Sequence, residues 1–492
     1  MVAKCEFIAM RGWNESWKLR LIDSLRIAVG IAIWAVVSRD AFSQAPNGDA
    51  DVALAHSPPA QVYNECKTCH GNVEGAAVWQ RATTMWFDHD PHSQAYSKLL
   101  NAQSQRIVHR LVGKNLAADS EEYRSVLRDQ CVSCHANEHA PDDQIRLGID
   151  CQVCHGPASA WGEAHYAGPT LALGPKRFEN TARVNLESIR VRAEVCTSCH
   201  IGELDRGSGL RDREVDHRLM AAGHPGMYFD FENYLERYPK HWDVQAEEKR
   251  LGEFPAYTRW STGKWVAARV RLELLRDRAE RRLGTAARDS ARRYDWPEFT
   301  ESSCTSCHHK LLPESWREAA PALARAVWDD WYTPSIERML RDTSDADERE
   351  RWEQALAKLR SNLESRQPAP AEVAEPTAVL IDLCRRRLES DSPADAVGLR
   401  NQLRGWLEDE SMTRSWERGA QWATTVRMFC DSLGLERGNA AIAGSPEGGF
   451  FGPPRLWDPL PDSPGYQSSD WFRPESLVKT RETLLNRLGP RP

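Results

Sequence analysis

Beyond residue 309 this 492-residue chain has no histidine, although 15 lie at or before it. Long apolar runs are equally scarce. "IAVGIAIWAVV", residues 27 to 37, is 11 residues long, and no later segment approaches the ~20 apolar residues that a helix needs to cross a bilayer. Few stretches alternate apolar and polar residues as half-buried strands do. Positive charge is not in excess either: 64 Lys and Arg against 71 Asp and Glu leave a formal −7. That balance argues against nucleic acid as a partner. Mean hydropathy is −0.60 with 27% charged residues, which is polar for a chain that must close a core. The absences leave a mainly helical protein whose side chains supply little of its apolar interior.

Cysteine is where the sequence is rich. Ten of the 13 Cys fall in five copies of Cys-x-x-Cys-His: Cys66–His70, Cys131–His135, Cys151–His155, Cys196–His200 and Cys304–His308. Shuffling the same composition would give on the order of 0.01 copies. Two thiols three residues apart can each add to a vinyl group of haem, and the following His then sits under the iron. The pattern is the c-type haem attachment signature. A zinc site does not require that His after the second Cys, and a disulfide has no use for it. The expectation is five covalent haem c groups. Their attachment points are Cys66, Cys69, Cys131, Cys134, Cys151, Cys154, Cys196, Cys199, Cys304 and Cys307. Their first iron ligands are His70, His135, His155, His200 and His308. Haem faces would also provide apolar surface that the side chains lack.

The start of the chain agrees with this chemistry. Lys18 and Arg20 precede the apolar run, and "SQA" ends at Ala45 as a small-x-small cleavage site. Residues 1–45 read as an export signal, without a twin-arginine pair, which favours the general secretion route. Haem attachment occurs outside the cytoplasm in bacteria, so the expected location is the periplasm or another extracytoplasmic compartment. The alternative is an uncleaved anchor and membrane association. Cys384 and Cys430 remain in the mature chain as buried thiols or one disulfide.

The motifs set the organisation. Sixty, 15, 40 and 103 residues separate consecutive copies. A pentahaem cytochrome c domain is expected over 46–315, with little β structure. A haem-free helical bundle follows over 316–443, and a Pro/Gly-rich tail over 444–492, mostly extended or loose. Within the first domain, Asp90 and Pro91 begin a helix that Gly113 ends. Residues 264–284 form an amphipathic helix closed by Gly284. In the second, 314–341 and 345–366 read as helices, 367–376 as a Pro/Ala linker, and 377–390 and 396–433 as two further helices.

Ten histidines lie outside the motifs: His56, His89, His92, His109, His139, His165, His217, His224, His241 and His309. In an ordinary domain each would be a surface or hydrogen-bonded residue. Here five irons need second ligands. The segment "GIDCQVCHGPASAWGEAH" resembles the cytochrome c-554 type of multihaem cytochrome, as do "DPHSQAY" and "AAGHP". The resemblance covers about residues 60 to 245. It implies a mainly helical tetrahaem core with closely stacked haem pairs, used for electron transfer. It further implies His165 opposite His70, His224 opposite His155 and His92 opposite His200. The second haem, at His135, corresponds to a five-coordinate site. His139, four residues on from His135, reads as a propionate partner or an exposed residue. His309 could ligate a neighbouring haem, His217 and His241 are other candidates, and His309 or His217 could instead cap the second haem.

The expected function is electron transfer between redox partner proteins through mostly bis-His haems. The alternative is an oxidoreductase acting on a small nitrogen or sulfur compound at an open haem. Related multihaem enzymes oxidise hydroxylamine or reduce nitrite. This chain has neither the Cys-x-x-Cys-Lys of the nitrite reductases nor an octahaem array.

Overall fold

The computed structural model describes residues 61–71, 78–140, 145–161, 164–165, 183–204, 212–284, 295–303, 307–308, 327–328, 331–342, 345–390, 395–435 and 474–489. The chain divides into Met1–Pro58 and Pro59–Pro492, and every described residue belongs to the second unit. The expected export segment, Cys304 and His309 lie outside the described residues. The protein is mainly helical. Among the described residues there are no strands, only isolated bridges of Glu203 with Arg213 and Ser302 with Trp328. No helix among them is long and apolar enough to cross a membrane.

The first half is built of short helices: α1 Gln61–His70, α2 Ala82–His89, α3 Ala102–Val112, α4 Glu121–Gln130, α5 Ile189–His200, α6 His217–Ala222, α7 Phe231–Arg237 and α8 Val244–Leu251. Most begin at a side-chain cap. Asn101, Ser120, Ser188, Asp216, Asp230 and Asp243 each accept a backbone N–H of the first turn. Such caps satisfy donors that a helix start leaves unpaired, worth about 1 kcal/mol each. The expected 90–113 helix is broken. Asp90 and Pro91 do start it, and Gly113 ends it in the left-handed region at φ 74°. Between them the chain turns at Leu99–Asn101 and restarts on the Asn101 cap. The interruption exposes the Leu99 carbonyl to a hydrogen bond from the buried Tyr123 hydroxyl at 2.7 Å.

The long helix α9, Pro255–Leu283, is the axis of the molecule. It starts nine residues before the amphipathic pattern suggests, with Pro255 in its first turn, and Gly284 closes it at φ 70°. Twenty-nine residues make it about 43 Å long. It is buried nearly all round: Trp260, Trp265, Val266, Ala268, Leu272 and Leu275 are each at most 6% exposed. Gly263 lets it approach α7, since a Cβ there would lie 2.6 Å from Phe231 Cβ. On one side α9 packs against α5, which ends in the fourth motif.

On its other side lies the C-terminal part: α10 Thr333–Arg341, α11 Ala346–Leu363, α12 Ala374–Glu389, α13 Ala396–Glu408, α14 Trp416–Ser432 and α15 Pro474–Leu488. The expected 396–433 helix is two. Asp409 caps a short 3-10 turn and Ser415 caps a new helix, so local side-chain bonds outcompete helix continuation. The 444–492 segment is not loose throughout, because α15 buries Leu477 and Leu484 against α13 and α14. One hydrophobic core runs from Ile189 through α9 to Leu484, so the motif-bearing part and the bundle share an interior. Cys384 and Cys430 are both buried within it and are not joined by a disulfide.

Candidate metal centres

Four of the motif histidines sit at helix ends. His70 ends α1, His200 ends α5, and His135 and His155 close the short helices Val132–His135 and Cys151–His155. A helical turn carries the two Cys to one face and the His to the next position, ready to project beyond the last turn. Each motif His has another His ring beside it. His70 faces His165 at 5.8 Å between ring centroids, His92 faces His200 at 6.0 Å, and His135–His224, His155–His241 and His217–His308 are each at 6.3 Å.

That spacing can be set against a shared metal. A metal–imidazole bond is about 2.0–2.1 Å, and the ring nitrogen lies about 1.2 Å from the ring centre, so two rings on opposite sides of one metal have centroids roughly 6.4 Å apart. Three pairs, at 6.3 Å, match that figure closely, and the pairs at 6.0 and 5.8 Å are somewhat shorter. Among the described residues no three His, Cys, Asp or Glu side chains gather as a closed ion site would need. The histidines meet in twos, with their cysteines alongside. This donor set fits a planar metal macrocycle held by thioethers and gripped axially, and does not fit structural zinc.

Hydrogen bonds orient the rings. Nδ1 of His70 donates to the Trp79 carbonyl at 2.7 Å, that of His135 to Ala95 at 3.1 Å, and that of His224 to Pro225 at 2.9 Å. His241 bonds the Pro239 backbone. His92 donates to the Asp90 carboxylate at 2.8 Å. A proton fixed on Nδ1 leaves Nε2 with its lone pair outward, the arrangement metal-binding histidines use. Burial pushes the imidazoles of His155, His200 and His224 down to about 4, and neighbouring His rings add to this. They are neutral donors at neutral pH.

Second-layer aromatics fix the rest. Trp161 meets His165 edge-on at 5.5 Å, and Phe229 stacks on His200 at 5.1 Å. Phe229 is itself held from the bundle: Trp331 Nε1 donates to its carbonyl at 3.0 Å, and the Tyr332 hydroxyl donates to the Met227 carbonyl at 2.7 Å.

The geometry corrects two expectations. His224 lies beside His135, not His155, because the six-residue α6 ends immediately before Gly223-His224 and packs on α3 next to the second motif. The second centre therefore has a ring where the resemblance implied an open position. His155 is faced by His241, which the sequence offered only as one of the other candidate ligands. His165 and His92 stand beside the motif His that the resemblance implied. His217 stands beside His308, and His309 lies outside the described residues. His89 and His139 are exposed and pair with no motif ring. Asp90 and Tyr238 had no sequence signal beyond a helix cap. Their importance comes from a contact between residues 148 positions apart.

The centres are close neighbours. The Cys66 and Cys151 thiols are hydrogen-bonded to each other, as are those of Cys134 and Cys199. Cys154 lies within electrostatic reach of Cys196 and Cys199. His217 and His224 flank the same helix, α6. By these contacts the motifs neighbour one another in the order first, third, fourth, second, fifth.

Residues 65–156 match the family model described as cytochrome c554 and c-prime. No curated protein and no solved structure matches the chain at a significant level. The match covers the first three motifs and supports a c-type cytochrome with covalently bound haem c and a haem-based electron-transfer or redox role.

Proposed function

We propose that the protein is an exported pentahaem electron carrier in which every haem is held between two histidines. The ligand pairs are His70 with His165, His135 with His224, His155 with His241, His200 with His92, and His308 with His217. The observation that carries this reading is the ring spacing: five pairs, one motif His in each, all 5.8–6.3 Å apart. Haem bound there supplies a one-electron iron couple. The chain's own contribution is to fix both axial rings, so that little rearrangement accompanies a change of oxidation state, and to hold neighbouring centres in a row.

The enzyme alternative requires an iron with a free face. No described motif His lacks a second ring, so nothing in the site favours it. The partners are redox proteins of an extracytoplasmic compartment. The exposure of Cys69 and Cys307 supports the first and fifth centres as the accessible ends of the row.

The deciding experiment is mass and ligand binding on the purified holoprotein. Intact mass should show five haem additions, and the reduced protein should bind no carbon monoxide. One equivalent of carbon monoxide per chain, or four haems, would overturn the reading.

A further inference from the structure

His92 differs from every other ring of the array whose hydrogen bond is described. The Nδ1 of His70, His135 and His224 and the ring of His241 bond neutral backbone groups. His92 instead donates to a carboxylate, Asp90 Oδ1, at 2.8 Å. Asp90 is 3% exposed. Its other oxygen accepts the Tyr238 hydroxyl at 2.5 Å. The ring of Tyr238 lies 5.9 Å from that of His92 and 6.0 Å from that of His241. One tyrosine therefore touches the ligand pairs of the third and fourth centres and divides the carboxylate with the fourth.

Asp90 acts only as an acceptor in this cluster: Oδ1 takes the backbone and ring N–H of His92, and Oδ2 takes the Tyr238 hydroxyl, the pattern of an ionised carboxylate. A full negative charge at the back of an axial imidazole draws its proton outward and makes the ring a stronger donor. In a buried setting the same charge also favours the more positive member of a redox couple.

We propose that Asp90 lowers the reduction potential of the fourth centre, and that Tyr238 limits the effect by sharing the carboxylate. This rests on His92 and His200 being axial ligands. The fourth centre stands between the third and the second, so Asp90 places a step in the middle of the row. An electron crossing from one end to the other must pass a centre that holds it less willingly than it would without Asp90. The two side chains act through His92 and are positioning residues.

The test is a spectroelectrochemical titration of the full-length holoprotein, with spin state read from low-temperature spectra. Asp90→Asn keeps the shape and the acceptor oxygen but removes the charge. One component should move to higher potential while all centres stay low-spin. Tyr238→Phe leaves the whole carboxylate to His92, and one component should move to lower potential. If Asp90→Asn loses its low-spin character, the Tyr238→Phe shift alone decides, because that variant keeps the carboxylate and both rings. Unchanged potentials in a variant with five low-spin centres, or shifts of the same sign in both, overturn the proposal. Failure of the underlying ligand reading is distinguishable, since the parent protein itself would then lack five low-spin centres.

Discussion

The ring of His217 lies nearly parallel to that of His308, with 21° between their planes and 6.3 Å between their centroids. His217 is the first residue of α6, and His224 follows that helix by two residues. Six residues of helical rise span about 9 Å. One short helix therefore joins the ring beside the fifth motif to the ring beside the second, and on the proposed function it would extend a group of four centres into a row with two ends.

Each outer ring should be individually necessary. His165→Ala, His224→Ala, His241→Ala, His92→Ala and His217→Ala should each create one high-spin centre and one carbon monoxide site per chain. His139→Ala and His89→Ala, both at exposed positions, should leave the spectrum of the parent. A His224→Ala protein that remains fully low-spin would sink the pairing with His135.

Ring orientation should be visible in paramagnetic resonance. The planes are 14° apart at His70–His165 and 21° at His217–His308, but 81° at His92–His200 and 89° at His135–His224. Parallel rings donate into the same iron orbital and split the pair of orbitals that crossed rings leave nearly equal. The oxidised protein should show two classes of low-spin signal, with the first and fifth centres in one class and the second and fourth in the other. A single class from all centres contradicts the geometry.

Gly148 should resist substitution. Its φ is +68°, and a Cβ there would lie 2.5 Å from the His92 carbonyl oxygen. Gly148→Ala adds strain of the order of 1–3 kcal/mol and pushes on the turn that carries His92. Thermal unfolding should drop by several degrees, and the fourth centre should gain high-spin character. A variant with the parent's melting temperature and spectrum would show that the turn yields freely.

Arg278 should be a keystone of the fifth centre's support. It is 2% exposed and bridges Glu214, at 2.6 Å, and Glu301, which precedes the fifth motif. Removing one partner of such a buried network costs about 3–5 kcal/mol: Glu214 loses this buried cation, while Glu301 keeps Arg271 at 3.0 Å. Arg278→Met should lower the holoprotein's melting temperature far more than Arg351→Met, whose guanidinium lies 3.8 Å from Asp382 at a side chain 47% exposed. Equal melting temperatures for the two variants would contradict this.

The motif-bearing helices were legible because covalent attachment fixes spacing: two Cys and a His within five residues carry their own geometry. The Gly113 and Gly284 ends were equally plain, since each needs a left-handed residue. Partner choice was less legible. Which ring reaches which motif depends on how α6 lies against α3 and where the 238–242 segment crosses, and no local pattern encodes either. His224 and His241 were thus visible as residues but not as partners of His135 and His155. The split of 396–433 escaped for a local reason: Asp409 and Ser415 each read as tolerable within a helix, and only together do they end one and start another. Asp90 showed its capping half. Its bond to Tyr238 joins distant segments and leaves no trace in composition.

The pairings also impose a timetable. Chains emerge from their amino end, and the first three motif histidines, His70, His135 and His155, are matched with rings that come later, His165, His224 and His241. The fourth and fifth, His200 and His308, find theirs already made, in His92 and His217. No early centre can close on its own segment, and the third must wait until residue 241 has appeared. On the proposed pairing, a newly made chain would therefore pass through a stage with several attachment points still waiting for their second ring.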